Sequence, residues 1–579
     1  MLKIAKGRIS YWAVLGAVLF MIVQVVSNLN LPNLTSDIVN NGVAKGDINY
    51  IWKIGFEMVG FSLLSIVAAI GNVFLAARTS QKWGQNLRSD IYKKVIGFSN
   101  DEFEQIETSS LITRTTNDVV QIQNVAIIML RMMLMAPIML IGASFLAYSK
   151  DHQLTMIFIV VVPVMLIFIG TLLYFATPLF RAMQSKTDKI NQVFREGLTG
   201  VRVIRAFRQD QREQDRFEDA NKDYTNNSIK ANTIMALAFP IMTLIMSATN
   251  IAIIWFGSNL IGSQAMQVGN LIAFMTYAMQ ILMSFMMLSM VFIFIPRAQA
   301  SAKRIQAVFA LNSTIKEADN PTALPDTKQH ELSFDHVDYR YRDAEMLALS
   351  DIDFKATSGQ TVAIIGGTGS GKSTLINLIP RFYDIESGEI SLDGININQL
   401  SLKDLRRAVS MVPQKANLFT GTLRSNLLYG NPDASDDELW HALDIAKASD
   451  FVKEDPDGLD MHVEQGGGNF SGGQRQRLAI ARALVKRASV YVFDDSFSAL
   501  DFKTDAELRA ALKQDEHIQQ SITVIVAQRI ATVADADVIL VLDNGKLVGK
   551  GTHEELKNNN KIYQEIINSQ LREGALPNE

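Results

Sequence analysis

The chain has 579 residues, too many for a single domain, and its 55 basic and 59 acidic side chains leave a formal charge of −4. That balance offers no basic excess for bulk nucleic-acid binding. The absence of cysteine excludes disulfides, cysteine metal sites and thiol nucleophiles.

The apolar residues crowd into the first 300 positions. Six stretches there, at 11–31, 54–76, 132–148, 154–175, 234–260 and 271–295, approach or exceed the ~20 residues that span hydrocarbon. The first is too long for a signal-peptide core and lacks a small-residue cleavage site after it, so its retention is expected. Basic residues alternate between the loops. Lys3, Lys6 and Arg8 precede the first span, Arg78, Lys82, Arg88, Lys93, Lys94 and Arg114 follow the second, and eleven more lie between Arg181 and Lys230. The opposite loops hold only Lys45 and Lys150. The positive-inside rule then predicts a multi-pass protein of the cell membrane with both termini cytoplasmic. The polar segments 77–126 and 177–231 are too long for bundle turns and have helical spacing. They read as membrane helices continued into the cytosol, each pair joined at a tip.

Within the spans, Met275, Met279, Met283, Met286, Met287 and Met290 recur mostly at spacings of three and four, with Phe274, Phe285, Phe292 and Phe294 among them. Met132, Met133, Met135 and Met139 lie in the third span. Flexible, polarizable methionine suits a cavity that repacks around unlike hydrophobic ligands, and it serves equally in helix packing or lipid contact. Arg131 reads as an interfacial residue reaching for headgroups. Glu57 reads as a local partner of Lys53.

A charged helix at 298–311 is followed by Asn320-Pro321 and Leu324-Pro325-Asp326, a linker signature. We therefore expect a membrane domain at 1–311, a linker at 312–330 and a soluble domain at 331–579. In that last part, Gly366-Gly367-Thr368-Gly369-Ser370-Gly371-Lys372-Ser373 fits G-x-x-x-x-G-K-S between an apolar strand at 361–365 and a helix opening at Thr374. Backbone N–H groups there converge on phosphate oxygens, Lys372 reaches the β/γ-phosphates, and the Ser373 hydroxyl faces Mg²⁺. The run Val490-Tyr491-Val492-Phe493-Asp494 is a buried strand ending in a carboxylate placed for Mg²⁺. Between them, Ser471-Gly472-Gly473-Gln474 opens a second helix, from Arg475 on, whose N-terminus suits an anion. One chain has no use for two phosphate cradles unless the second serves another copy's nucleotide.

The order GGTGSGKST, Gln414, FSGGQ, VYVFDD and Ser498-Ala499-Leu500-Asp501 resembles the ATP-binding cassette (ABC) domain, over about residues 330–570. Glu107 to Val119 and Arg195 to Phe207 resemble the two intracellular loops of ABC exporters. The resemblance implies an all-α six-helix transmembrane domain followed by an α/β P-loop nucleotide-binding domain, in an exporter half-transporter that hydrolyses ATP. It also implies that Tyr341 stacks on adenine and that Gln414 lies near Mg²⁺. It places Ser471 to Gln474 on the partner's ATP, and Asp501 between the two cassettes.

Two positions depart from the pattern. Where an active cassette has a glutamate base, this chain has Asp495, one methylene shorter. Where it has a switch histidine, this chain has Gln528, which cannot take up a proton. With every binding motif kept, this resembles the degenerate half of a heterodimeric multidrug exporter, with a second half-transporter chain as partner and hydrophobic drugs or lipids as cargo. A lipid flippase or homodimeric exporter, and a regulatory ATP-sensing subunit, are the other readings.

Overall fold

The computed structural model describes residues 2–325 and 327–574; the side chains of residues 2, 3, 289–294, 296 and 571–574 are outside the described set. The readings of Lys3, Met290, Phe292 and Phe294 therefore lie outside the described residues. Two compact units are present: Met1–Ile96 with Thr108–Leu311, and Gly97–Glu107 with Asn312–Glu579.

The first unit is helical. Its six helices long and apolar enough to cross a membrane are Tyr11–Val43, Ile48–Ile96, Thr108–Lys150, His152–Thr199, Asp210–Gly262 and Val268–Leu288, which contain or overlap the six predicted spans. A helix rises ~1.5 Å per residue, so the 49 residues of Ile48–Ile96 extend about 70 Å, far beyond a ~30 Å hydrocarbon core. The polar segments beside the spans thus continue them as helix, as their spacing predicts.

Buried polar side chains tie these helices together where water is absent. Asn72 donates to the Ala17 carbonyl at 2.8 Å, Ser80 to the Gln123 carbonyl at 2.7 Å, and Tyr277 to the Leu29 carbonyl at 3.0 Å. Arg304 Nε donates to buried Asp118 at 2.7 Å, and Ser301 Oγ adds a 2.9 Å bond. Asp118 sits on a π turn, Arg114–Asp118, and a second one covers Met129–Met133. Arg131 lies on the second turn, exposed, and makes no ion pair among the described residues. The Lys53–Glu57 pair expected from spacing does not form: both side chains are exposed, where water solvates each charge and little is gained by pairing. The methionine stripe divides. Phe274 and Phe285 are buried in the helical core, whereas Met279 and Met283 are about half exposed.

The second unit is built on a ten-stranded sheet. Its parallel part runs in the spatial order Val538–Asp543, Thr361–Gly366, Ile522–Val526, Val490–Asp494, Val409–Val412. These strands are mostly apolar and buried, with polar residues such as Ser410 and Thr523 the exceptions, as expected of a sheet covered on both faces. Val362 and Ile364 enter one core and Ala363 and Ile365 the other, the period of two expected of a strand. The antiparallel edge comprises Glu331–Tyr339, Leu349–Thr357, Ser387–Leu392 and Ile395–Asn396, and Lys546–Gly551 joins it to Val538–Asp543.

The short helix Asn100–Gln105 belongs to this second unit. Of the segment 107–119 that resembles an intracellular loop, Glu107 groups with the second unit and the chain from Thr108 onward with the helical one. A capping box at Ser99 starts the short helix, with Glu102 Oε2 accepting from Ser99 N at 3.0 Å.

Candidate nucleotide site

Parallel pairing delivers the site. Val412 lies opposite Phe493, and Val526 lies opposite both Asp494 and Ile364. The carboxyl ends of neighbouring strands therefore share one edge, where α/β sheets bind ligands. Gln414, Asp495 and Gln528 each follow such a paired position by two residues, and they meet. Asp495 Oδ2 accepts from Gln414 Nε2 at 3.2 Å and from Gln528 Nε2 at 2.8 Å. Asp495 is buried, with its backbone in the left-handed region (φ 45°) and its N–H bonded to the Val526 carbonyl at 3.0 Å.

The phosphate loop leaves the adjacent strand at Gly366. Gly371 requires its φ of 100°, and a Cβ there would lie 2.8 Å from the Leu349 side chain. Around Gly367 and Gly369 a Cβ would meet nothing, so the loop encloses open space. Ser370 Oγ is buried beside it with no hydrogen-bond partner. Lys372 Nζ folds back onto the Gly366 and Gly367 carbonyls at 2.9 and 2.7 Å. Burial pushes its pKa down, while Asp495 and Asp494 pull it up. An anion of high charge in this cradle would supply what the orphaned hydroxyl and the partly desolvated ammonium lack. The residues present fit the phosphates of a nucleotide.

Ser373 Oγ donates to Asp494 Oδ1 at 3.2 Å. Burial pushes the Asp494 carboxyl above the usual range and Asp495 adds to it, against the Ser373 hydrogen bond and Lys372. A hydroxyl and a carboxylate side by side are hard oxygen donors that suit Mg²⁺. No group of three or more His, Asp or Glu side chains able to hold a metal occurs among the described residues, so such an ion would depend on the phosphates as well. Gln414, for which the resemblance implies a place near Mg²⁺, donates to Asp495, the neighbour of Asp494.

Tyr341 lines the same cleft as Gly369 to Thr374. Its hydroxyl lies 2.9 Å from Thr374 Oγ1. Ser471 to Gln474 are not in the cleft lining. The helix they open starts at Gly472, three residues before the predicted start, because Ser471 and Gln474 form a reciprocal capping box at 3.2 and 2.9 Å. Ser471 and Gly472 are exposed, and a Cβ on Gly472 would touch nothing. Asp501 caps another helix, accepting from Thr504 N at 2.9 Å and Thr504 Oγ1 at 2.8 Å; those bonds lower its pKa. Sequence reasoning missed Gln570. Its side chain donates to the Gln528 carbonyl at 2.6 Å and accepts from Ile530 N at 2.9 Å, holding the loop that carries Gln528. A lone glutamine on a terminal helix carries no signal of that task.

A phosphate cradle and a metal-ready carboxylate on a parallel sheet, in one chain with six membrane-length helices, define a nucleotide-driven membrane protein. Residues 14–285 match the family described as ABC transporter transmembrane region, and 349–498 match the ABC transporter family. An ABC transporter ATP-binding protein of Mycobacterium tuberculosis is 41% identical over 98% of both chains. An ATP-dependent lipid A-core flippase of Chromobacterium violaceum is 30% identical, covering 98% of this chain and 96% of that one. A multidrug resistance ABC transporter ATP-binding and permease protein of Lactococcus lactis is 28% identical, covering 99% and 95%. Among solved structures, a bacterial Atm1-family ABC exporter with ATP bound aligns with a TM-score of 0.79 at 25% identity, covering 97% of this chain and 99% of that one. The chain belongs to the ABC transporter family: it is a multi-pass membrane exporter with an ATPase domain on the same polypeptide.

Proposed function

We propose that this chain is one half of a heterodimeric ABC exporter that moves hydrophobic drugs or lipids outward, and that it holds the slower of two ATP sites. The carrying observation is the Asp495 carboxylate. Its Oδ2 accepts from the Gln414 and Gln528 amides, which leaves Oδ1 to serve a water, on a side chain one methylene shorter than glutamate. A general base needs a free lone pair within hydrogen-bond reach of the attacking water. At position 528 an amide donor takes the place of a group that can exchange a proton.

On this reading Gly366 to Thr374 hold the phosphates, Lys372 lends its charge to them, and Tyr341 stacks on adenine. Ser373, Asp494 and Gln414 surround Mg²⁺, which when bound would screen the phosphate charge. Ser471, Gly472, Gly473 and Gln474 present an open helix N-terminus to the ATP held by a second half-transporter chain, and Asp501 faces that chain's cassette. The open space at Gly472 supports this, since the cassette's own residues do not fill it. So does the tip Val201–Ala206, where Val203 is 60% and the adjoining Phe207 72% exposed, apolar surface suited to another protein surface. The functional domains then run 1–311, 312–330 and 331–579, with both termini in the cytosol.

For cargo, Met279 and Met283 offer exposed, deformable apolar surface. The multidrug name of the Lactococcus relative and a likeness to LmrC, which pairs with LmrD in a multidrug exporter, support the drug reading. The lipid A-core flippase name of the Chromobacterium relative favours a second reading, a homodimeric flippase.

Affinity purification of the tagged chain from membranes, with mass spectrometry of the partner and ATPase assay of the product, tests the proposal. A stoichiometric second ABC chain with a glutamate at the 495 equivalent is the outcome required. A homodimer with strong drug-stimulated hydrolysis rules it out.

A further inference from the structure

We propose that Gln570, on the terminal helix Lys561–Gly574, is a positioning residue for the loop that carries Gln528, and that it thereby sets how long ATP stays on this chain. This rests on the nucleotide-site reading above and deepens it.

The loop leaves the sheet with few ties of its own. Ala527 N donates to the Ile364 carbonyl at 3.2 Å, next to the phosphate loop. Gln528 is then exposed, and the helix that follows, Ile530–Val533, has only four residues. Its N-cap, Arg529, supplies no side-chain cap, and a helix start leaves N–H groups without intrahelical partners. Gln570 Oε1 accepts from Ile530 N at 2.9 Å, and Gln570 Nε2 donates to the Gln528 carbonyl at 2.6 Å. One side-chain amide thus bonds the backbone on both sides of Arg529, as a peptide group of a neighbouring strand would. An amide has both the donor and the acceptor this needs; a carboxylate or an apolar chain does not.

The terminal helix does not depend on Gln570 to stay docked. Tyr563 is fully buried, its hydroxyl lies 2.7 Å from His553 Nδ1, and its N–H donates to Asn560 Oδ1 at 2.9 Å. Ile566 and Ile567 pack against the same core. Positions 563, 567 and 570 are four and three apart, so one helix face carries both the anchor and the amide. Gln570 lies about two turns beyond that anchor and directs both ends of its amide to the loop. The effect reaches the nucleotide site through Gln528, whose Nε2 donates to Asp495 Oδ2, and Asp495 in turn acts electrostatically on Lys372. A lysine at that place in a phosphate loop serves the β- and γ-phosphates. Gln528 therefore stands on the terminal-phosphate side of the cradle, and a loop freed from Gln570 leaves that side slack.

The test uses the full chain with its co-purified partner. The complex is loaded with azido-ADP or with the azido derivative of the non-hydrolysable imido triphosphate, chased with unlabelled ATP and photolysed at intervals. The label left on this chain then decays at the rate of release. Gln570→Met, similar in length but without the amide, should speed triphosphate release about three- to tenfold, the range of one net hydrogen bond, and leave diphosphate release unchanged. Gln570→Glu keeps the acceptor for Ile530 N, loses the donor to Gln528 and should do the same. The double variant Gln570→Met with Gln528→Ala should release no faster than Gln528→Ala alone, because Gln570 acts through Gln528. If Gln528→Ala does not speed triphosphate release, the placing of Gln528 at the terminal phosphate fails, and the proposal with it. If Gln528→Ala does so while Gln570→Met releases like the parent, the positioning role fails alone. Parent-like release in Gln570→Glu, a multiplicative double variant, or equal acceleration of both nucleotides also overturns it.

Discussion

Gln528 Nε2 donates to Asp495 Oδ2 at 2.8 Å, and the switch-loop amide thereby holds the residue that stands where the lytic base belongs. Gln414 reaches the same oxygen from the strand on the other side of Val490–Asp494. One oxygen of the carboxylate thereby accepts from two amides. Lys372 and Asp494 of the proposed nucleotide site lie close enough to feel its charge.

Changing the base should therefore matter little on this chain. Asp495→Asn is expected to leave steady-state ATPase of the purified pair nearly unchanged. The partner's corresponding Glu→Gln should cost about 10²-fold or more, the usual size of a lost general base. Asp495→Glu alone should not restore the site, because Gln528 still cannot exchange a proton and groups acting as a unit are not additive. A large loss from Asp495→Asn would overturn the assignment.

Gly472→Asp should abolish turnover of the pair while this chain's melting temperature stays the same. A side chain at Gly472 meets nothing in this cassette, so the fold tolerates it. A carboxylate at that helix N-terminus repels phosphate held by the partner. Thermal unfolding and ATPase assay on the same preparation separate the two effects. Retained turnover would remove Gly472 from the partner's site.

Lys372→Ala should weaken ATP binding to this chain about tenfold or more, as expected for a hydrogen bond to a charged group. Stability should hold, since the ammonium contacts only two loop carbonyls. Azido-ATP labelling equal to that of the parent would refute the role.

Asp494→Asn should raise the thermal stability of the nucleotide-free chain near neutral pH and abolish Mg²⁺-dependent stabilisation by ATP. Burial holds the folded-state pKa of Asp494 above its unfolded value. The folded chain then binds more protons, so this residue's contribution to stability falls as pH rises through the window between the two values. Removing the charge relieves that cost, and removing the oxygen donor loses the metal. Melting curves across pH, with and without Mg²⁺ and ATP, check both. An unchanged pH slope in Asp494→Asn would count against it.

Cysteines at Val203 or Phe207 should cross-link to the partner's cassette, whereas one at Gln105 should cross-link to this chain's own. The background has no cysteine, so each product is unambiguous. Failure of every tip position to cross-link to any cassette would argue against the docking proposed for Val201–Ala206.

The chain's local chemistry was legible without coordinates. Twenty apolar residues in a row have one favourable home, a glycine-rich loop between strand and helix has one common use, and Ser471 to Gln474 open a helix, although its start reads three residues late. Those signals are complete within a few residues. What only the tertiary structure decided lies between residues far apart in the chain. Gln414 and Asp495 are separated by 81 positions, Asp495 and Gln528 by 33, and Glu104 and Tyr383 by 279. The spatial order of the parallel strands brings the first three to one edge, and no periodicity encodes that order, since buried strands of a covered sheet all read alike. Likewise Gly97–Glu107 reads as the end of a membrane helix. It groups with the second unit because Glu102 and Glu104 find Thr314 of the linker and Tyr383 of the sheet domain, partners distant in sequence.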